Sequence, residues 1–165
     1  TDSSNTAKDN WVLKSSNIGN YQIKFPPFKI NEGETKQILD GEEITIFHYS
    51  LNSQGKNHEN LAYRVDHMLM PNLITEDQIN EQFDIQRDYI LSSTSATLEY
   101  ENVIDTLPFQ GRELFLSLKQ INLKTRYRMY FNNGIFYKIM VISQDGKQFN
   151  KSVTKFLDSF KLIKK

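Results

Sequence analysis

Apolar and polar positions alternate along most of the chain, and each alternating run predicts a strand. Residues 21–26 place Tyr21, Ile23 and Phe25 on one face and Gln22 and Lys24 on the other, and Pro26-Pro27 stops the run. Trp11-Val12-Leu13 opens the ordered part before it. A turn is expected at Glu32-Gly33, then a short strand that ends at the Asp40-Gly41 turn signal. Residues 43–52 are rich in β-branched and aromatic side chains, and residues 61–70 form a similar run closed by Pro71. These two strands flank the polar loop 53–60, and short connections between neighbours favour an antiparallel meander.

The period changes after residue 72. Thr75 fits a helix N-cap with Gln78 as its capping-box partner, and Ile74 with Ile79 fits a hydrophobic staple. Glu76 and Asp77 suit the positive end of that helix. Ile79, Phe83 and Ile90 supply its apolar stripe, Gln86 is a weak link in it, and the helix is expected to end within residues 92–97. Residues 97–104 alternate through Leu98 and Tyr100 and then shift phase, and residues 111–119 separate Leu114, Leu116 and Leu118 from Phe115. Asn133-Gly134 signals a type I′ hairpin that pairs Phe131 with Phe136 and Met129 with Lys138. One face of that hairpin carries Tyr127, Met129, Phe131, Phe136, Met140 and Ile142. The other carries Lys124, Arg126, Arg128 and Tyr130 beside Tyr137, Ile139 and Val141, a half-wet face that something must partly cover. After Asp145-Gly146, a closing helix is expected to present Phe149, Val153, Phe156, Leu157 and Phe160 as one stripe.

The chain of 165 residues suits one domain with a substantial core. We divide it into a polar, aperiodic leader over residues 1–10 and a single domain over residues 11–165. No apolar run is long enough to span a bilayer as a helix. The formal net charge is zero, yet residues 74–105 hold eight acids against Arg87, while residues 106–165 hold twelve Lys or Arg against Glu113, Asp145 and Asp158. The two poles are expected to complement each other within the fold, with the acidic helix covering the Lys124–Arg126–Arg128 stripe. Read the other way, the stripe is a polar surface for a partner.

Catalytic chemistry finds little support. There is no Cys, no G-x-S-x-G elbow and no phosphate-binding glycine loop. Ser159 follows Asp158, but helical neighbours diverge by about 100° and do not face each other. His48, His58 and His67 lack metal-ligand spacing, so we assign no catalytic residue, no metal site and no cofactor. Glu99 and Glu101 share a strand face, as solvated acids commonly do. Lys124, Arg126, Arg128 and Tyr130 could meet phosphates, but the neutral chain and the lack of a nucleic-acid motif argue against that partner.

The order of elements resembles the PsbP-like family, which shares its fold with the nuclear Ran-release factor. The resemblance rests on residues 21–26, on residues 111–116 with their Gly111-Arg112-Glu113 followed by the aromatic hairpin of residues 126–137, and on Phe156, Ser159 and Phe160 within residues 156–162. It covers most of residues 11–163; the long acidic helix and the loop 52–60 depart from it. It implies an α+β fold: an antiparallel sheet of about six to seven strands flanked by helices in an α/β/α sandwich. It implies no shared catalysis and transfers no site residue.

Together these readings predict a non-catalytic envelope protein of a Gram-negative bacterium, periplasmic or at the cell envelope. The leader is expected to follow a lipidated Cys, so contact with membrane would run through a lipid anchor. A protein partner is expected, with Lys124, Arg126 and Arg128 as its contact residues. The competing class is a small-molecule binder or hydrolase that uses the concave sheet face, with residues drawn from His48, His67, Tyr63 and Tyr100. A third is an intracellular GTPase-cycle partner, by fold analogy only.

Overall fold

The computed structural model describes residues 9–39, 41–53, 58–70, 75–106 and 109–163. Strands β1 (Val12–Ser16) and β2 (Tyr21–Phe25) come first, followed by β3 (Asn31–Leu39), β4 (Glu42–Asn52) and β5 (Asn60–Leu69). Helix α1 (Glu76–Thr94) leads to β6 (Thr97–Thr106), β7 (Phe109–Leu118), β8 (Leu123–Asn132) and β9 (Ile135–Gln144). Helix α2 (Lys151–Asp158) and the short β10 (Lys161–Leu162) close the chain.

Seven strands form one antiparallel sheet in the order β3-β4-β5-β9-β8-β7-β6. The fold is α+β, as the family resemblance implies. The meander is broken once: α1 carries the chain from β5 across the sheet to the far edge, so β5 pairs with β9 rather than β6. The first strands do not join this sheet. β1, β2 and β10 form a separate three-stranded sheet, so one covering layer is part sheet and part helix.

Two cores follow from the alternation. Tyr21, Ile23 and Phe25 of β2 and Val153, Phe156, Leu157 and Phe160 of the closing segment bury against Tyr63, Val65, Tyr137, Ile139 and Val141. On the opposite face, Phe83 and Ile90 of α1 bury against Met68, Leu114, Leu116, Met129 and Phe136. Strands buried on both faces thus lie between two apolar layers, which is why β5 and β9 alternate poorly.

Local signals act where expected. Thr75 and Gln78 form the capping box of α1, the Thr75 N–H donating to Gln78 Oε1 at 2.8 Å. Ile74 lies outside the described residues. The helix ends at Thr94, before Ser95 in a left-handed conformation. Asn133 and Gly134 both adopt positive φ, and the hairpin pairs Phe131 with Phe136 and Met129 with Lys138 as predicted. The phase shift in residues 97–104 is a β-bulge between Leu98 and Tyr100. The turn expected at Glu32-Gly33 is absent, because β3 runs straight through it. Gly33 instead lies under the His48 ring, where a Cβ would come within 3.0 Å of it. The leader's end is anchored: Asp9 meets Lys155 at 2.8 Å and Lys24 at 3.2 Å. Residues 1–8 lie outside the described residues.

Candidate functional site

Register places the basic stripe. Across β6, β7, β8, β9 and β5 one row reads Tyr100, Phe115, Arg126, Val141, Tyr63, and the next reads Asn102, Glu113, Arg128, Ile139, Val65. The apolar ends of both rows lie beneath α2 and the small sheet. The polar ends on β6 to β8 emerge beside them. Lys124, Arg126 and Arg128 therefore share one face at the margin of the α2 layer.

Acids from the same face answer each cation. Glu113 Oε1 accepts from Arg126 Nη2 at 3.0 Å, and its Oε2 accepts from Arg128 Nε at 2.6 Å. Arg128 Nη1 also donates to Asp158 of α2 at 2.6 Å. Lys124 pairs with Glu99 and lies 3.8 Å from Asp145. Burial opposes the charge on Arg128, but Glu113 and Asp158 outweigh it and raise its pKa above the ordinary arginine value.

The acidic helix is not the cover that the charge pattern suggests. α1 lies on the opposite face, where Phe83 and Ile90 find their apolar partners. Its rim acid Asp84 meets Arg112 at 2.5 Å and Arg87 at 3.0 Å, and Glu101 of β6 meets both arginines. Apolar packing chose the face, and the charges paired with what lay nearby.

Aromatic rings extend the stripe. Tyr100 stacks on Phe115 at 4.0 Å, and Phe115 stacks on Phe149 at 5.2 Å. The Arg126 guanidinium lies 4.8 Å from the Phe115 centroid and 5.1 Å from that of Phe149. Tyr100 is 42% exposed and Phe149 is 59% exposed, so the ends of this ladder are open to contact. Phe149 was expected inside the α2 stripe. Asn150 instead caps the helix through the Val153 N–H at 3.0 Å, so Phe149 precedes the first turn and swings out over Arg126. Asn150 itself was the missed signal.

The residues of the competing reading do not converge. His48 is the Cα partner of Asp66, and His67 that of Phe47, so the two imidazoles point to opposite faces. His67 is buried, stacked on Phe47 at 5.1 Å and edge-on to Tyr21. Burial lowers its pKa. The Tyr63 hydroxyl accepts from Asn60 Nδ2 at 2.7 Å and lies 2.5 Å from His58 Nε2. Burial pushes its pKa up to about 12. Tyr100 lies on the edge strand β6. Ser159 is a latch: its hydroxyl accepts from the Lys24 N–H at 2.9 Å and donates to the Phe156 carbonyl at 2.7 Å.

Gly111-Arg112-Glu113 has a structural role at each position. A Cβ on Gly111 would meet the Tyr130 ring at 2.6 Å. Arg112 and Glu113 anchor the ion pairs on the two faces of the sheet.

No protein-family model matches the chain, and no curated protein matches it. Its fold is similar to the solution structure of cyanobacterial PsbP (CyanoP) from Synechocystis sp. PCC 6803. That match is 9% identical, covers 92% of each chain and has a TM-score of 0.55. A protein of unknown function from Pseudomonas aeruginosa aligns over 84% of this chain and 85% of its own, at 10% identity and a TM-score of 0.36. The first likeness establishes a PsbP-like fold, and the second is too low to carry an argument.

Proposed function

We propose that this PsbP-like domain is a non-catalytic protein of the bacterial cell envelope that binds a protein partner through the β6–β8 face. The carrying observation is the aromatic–arginine ladder, whose ends Tyr100 and Phe149 are exposed while Arg126 between them is buried and paired. Exposed aromatic anchors beside an ordered arginine are the residue types that concentrate binding energy at protein interfaces. Because Glu113, Glu99 and Asp158 neutralise the stripe, it suits a mixed-charge protein surface better than a phosphate backbone. Lys124, Arg126 and Arg128 act in this reading by ordering the face, with Lys124 and Arg128 at its rim. The leader connects the domain to a lipid anchor in the envelope.

Two measurements test this. Fractionation of the tagged full-length protein should place it with membranes; recovery as a soluble cytoplasmic protein would overturn the localisation. A photo-crosslinking residue at position 100 or 149 should yield a discrete protein adduct in cells. The same residue at Ile38, 66% exposed on the β3 edge, should not. Equal adducts from all three sites, or none, would overturn the assigned face.

A further inference from the structure

The α1 side of the large sheet holds a second polar cluster, distinct from the partner face and built on β4, β5, β8 and β9. Register sets two adjacent rows there: His48, Asp66, Lys138 in one, and Arg64, Met140, Tyr127 in the other. Arg64 Nε donates to Asp66 Oδ1 at 2.6 Å, and Lys138 Nζ lies 3.9 Å from Asp66 Oδ2. Their side chains are 33%, 11% and 8% exposed for Arg64, Asp66 and Lys138 respectively. One carboxylate thus faces two cations in a site largely withdrawn from water.

Beside Asp66, the Lys138 ammonium meets the Tyr89 ring of α1, 5.9 Å from its centroid, but no second acid joins it among the described residues. Among the described residues, neither Arg64 nor Lys138 has a second acidic partner, and no described residue accepts from Arg64 Nη1 or Nη2. Lys138 has its pKa lowered first by burial, with Asp66 opposing and Arg64 assisting. The same Asp66 and Arg64 are the charges that act on His48 and Tyr127. Among the described residues, His48 Nδ1 is buried without a hydrogen-bond partner. A half-buried positive excess is costly, and the remedy available to a protein is an anion.

We propose that this cluster binds a small carboxylate- or phosphate-bearing molecule. The Nη1 and Nη2 groups of Arg64 and the Lys138 ammonium hold the anion. Tyr127 and His48 supply neutral polar contacts, and half-buried Met140, set between Arg64 and Tyr127, forms an apolar wall. Asp66 orients the two cations. This site lies across the sheet from the partner face, so it stands or falls independently of the partner reading.

The test is an NMR titration of methyl-labelled methionine in the intact chain, with inorganic phosphate, acetate and hexanoate as probes and chloride as the ionic-strength control. Saturable movement of the Met140 methyl signal is expected with at least one probe and not with chloride. Phosphate-only or carboxylate-only binding separates the two chemistries, and a gain from acetate to hexanoate reports the apolar wall. Arg64→Gln, at a one-third exposed position, should weaken the affinity by about tenfold or more, the worth of a charge-assisted hydrogen bond. Arg64→Lys should restore only part of it, and Asp66→Asn should tighten binding. An unmoved Met140 signal through the millimolar range would overturn the proposal. So would affinity indifferent to Arg64→Gln, or shifts confined to the groove between Lys24, Lys155 and Lys161.

Discussion

Removing Glu113 should unbalance the partner face from within, and the cost can be worked from the contacts. The Glu113, Arg126 and Arg128 side chains are 14%, 8% and 18% exposed, and the two pairs measure 3.0 and 2.6 Å. Glu113→Ala leaves Arg126 with one long bond to the Gln148 carbonyl at 3.4 Å and the aromatic faces. Arg128 keeps Asp158 at 2.6 Å, on a carboxylate 58% exposed. Breaking a buried pair costs about 3–5 kcal/mol, and the surviving Asp158 contact places this case near the lower end, about 3 kcal/mol. For a domain of this size that lowers the melting temperature by roughly 6–12 °C. Urea and thermal denaturation of Glu113→Ala, Arg126→Met and the double variant would measure it. The double variant should recover much of the loss, since no buried charge is then left alone. Glu43→Ala, which removes an exposed pair with Lys36, should leave the transition in place. If Glu113→Ala matches the parent protein within a few tenths of a kcal/mol, the stripe is not internally neutralised and its cations are open to phosphate.

Phe160→Ala should cost about 3–5 kcal/mol in urea denaturation, because its ring meets Tyr21, Tyr130 and Tyr137 at 5.5, 5.4 and 5.2 Å. Gly111→Ala should destabilise by about 1–3 kcal/mol through overpacking against Tyr130; an unchanged midpoint would show that the ring yields freely. Acid should weaken the fold through His67. Its folded-state pKa lies below the ordinary 6.5, so stability is full above that value and is lost as pH falls toward the lower folded-state value. His67→Phe should flatten stability against pH in that window, and an identical pH profile would refute the assignment.

The strand and helix inventory was legible because it is local. Alternation in residues 21–25, the capping box at Thr75 and the Asn133-Gly134 turn are each dictated by a few neighbouring residues. The hairpin register followed from the turn, and with it the sharing of one face by Lys124, Arg126 and Arg128. The turn expected at Glu32-Gly33 failed for a non-local reason: that glycine answers a ring on another strand rather than a bend in its own chain.

The pairing of those cations was not legible, and neither was the Arg64–Asp66–Lys138 cluster. Charge complementarity along the chain suggested a helical cover, but Coulomb attraction between exposed groups is weak and unselective. Burial of Phe83 and Ile90 outweighs it and sets which face α1 takes. The amino-acid sequence by itself determined most of the elements, the hairpin and the apolar closing segment, since these rest on periodicity and turn chemistry, while the α+β class came with the family resemblance. Only the tertiary structure decided that β1 and β2 leave the main sheet, that β5 meets β9, and that Glu113 is the acid between two arginines. Each of those depends on which distant surfaces exclude water together, and no local pattern encodes that choice.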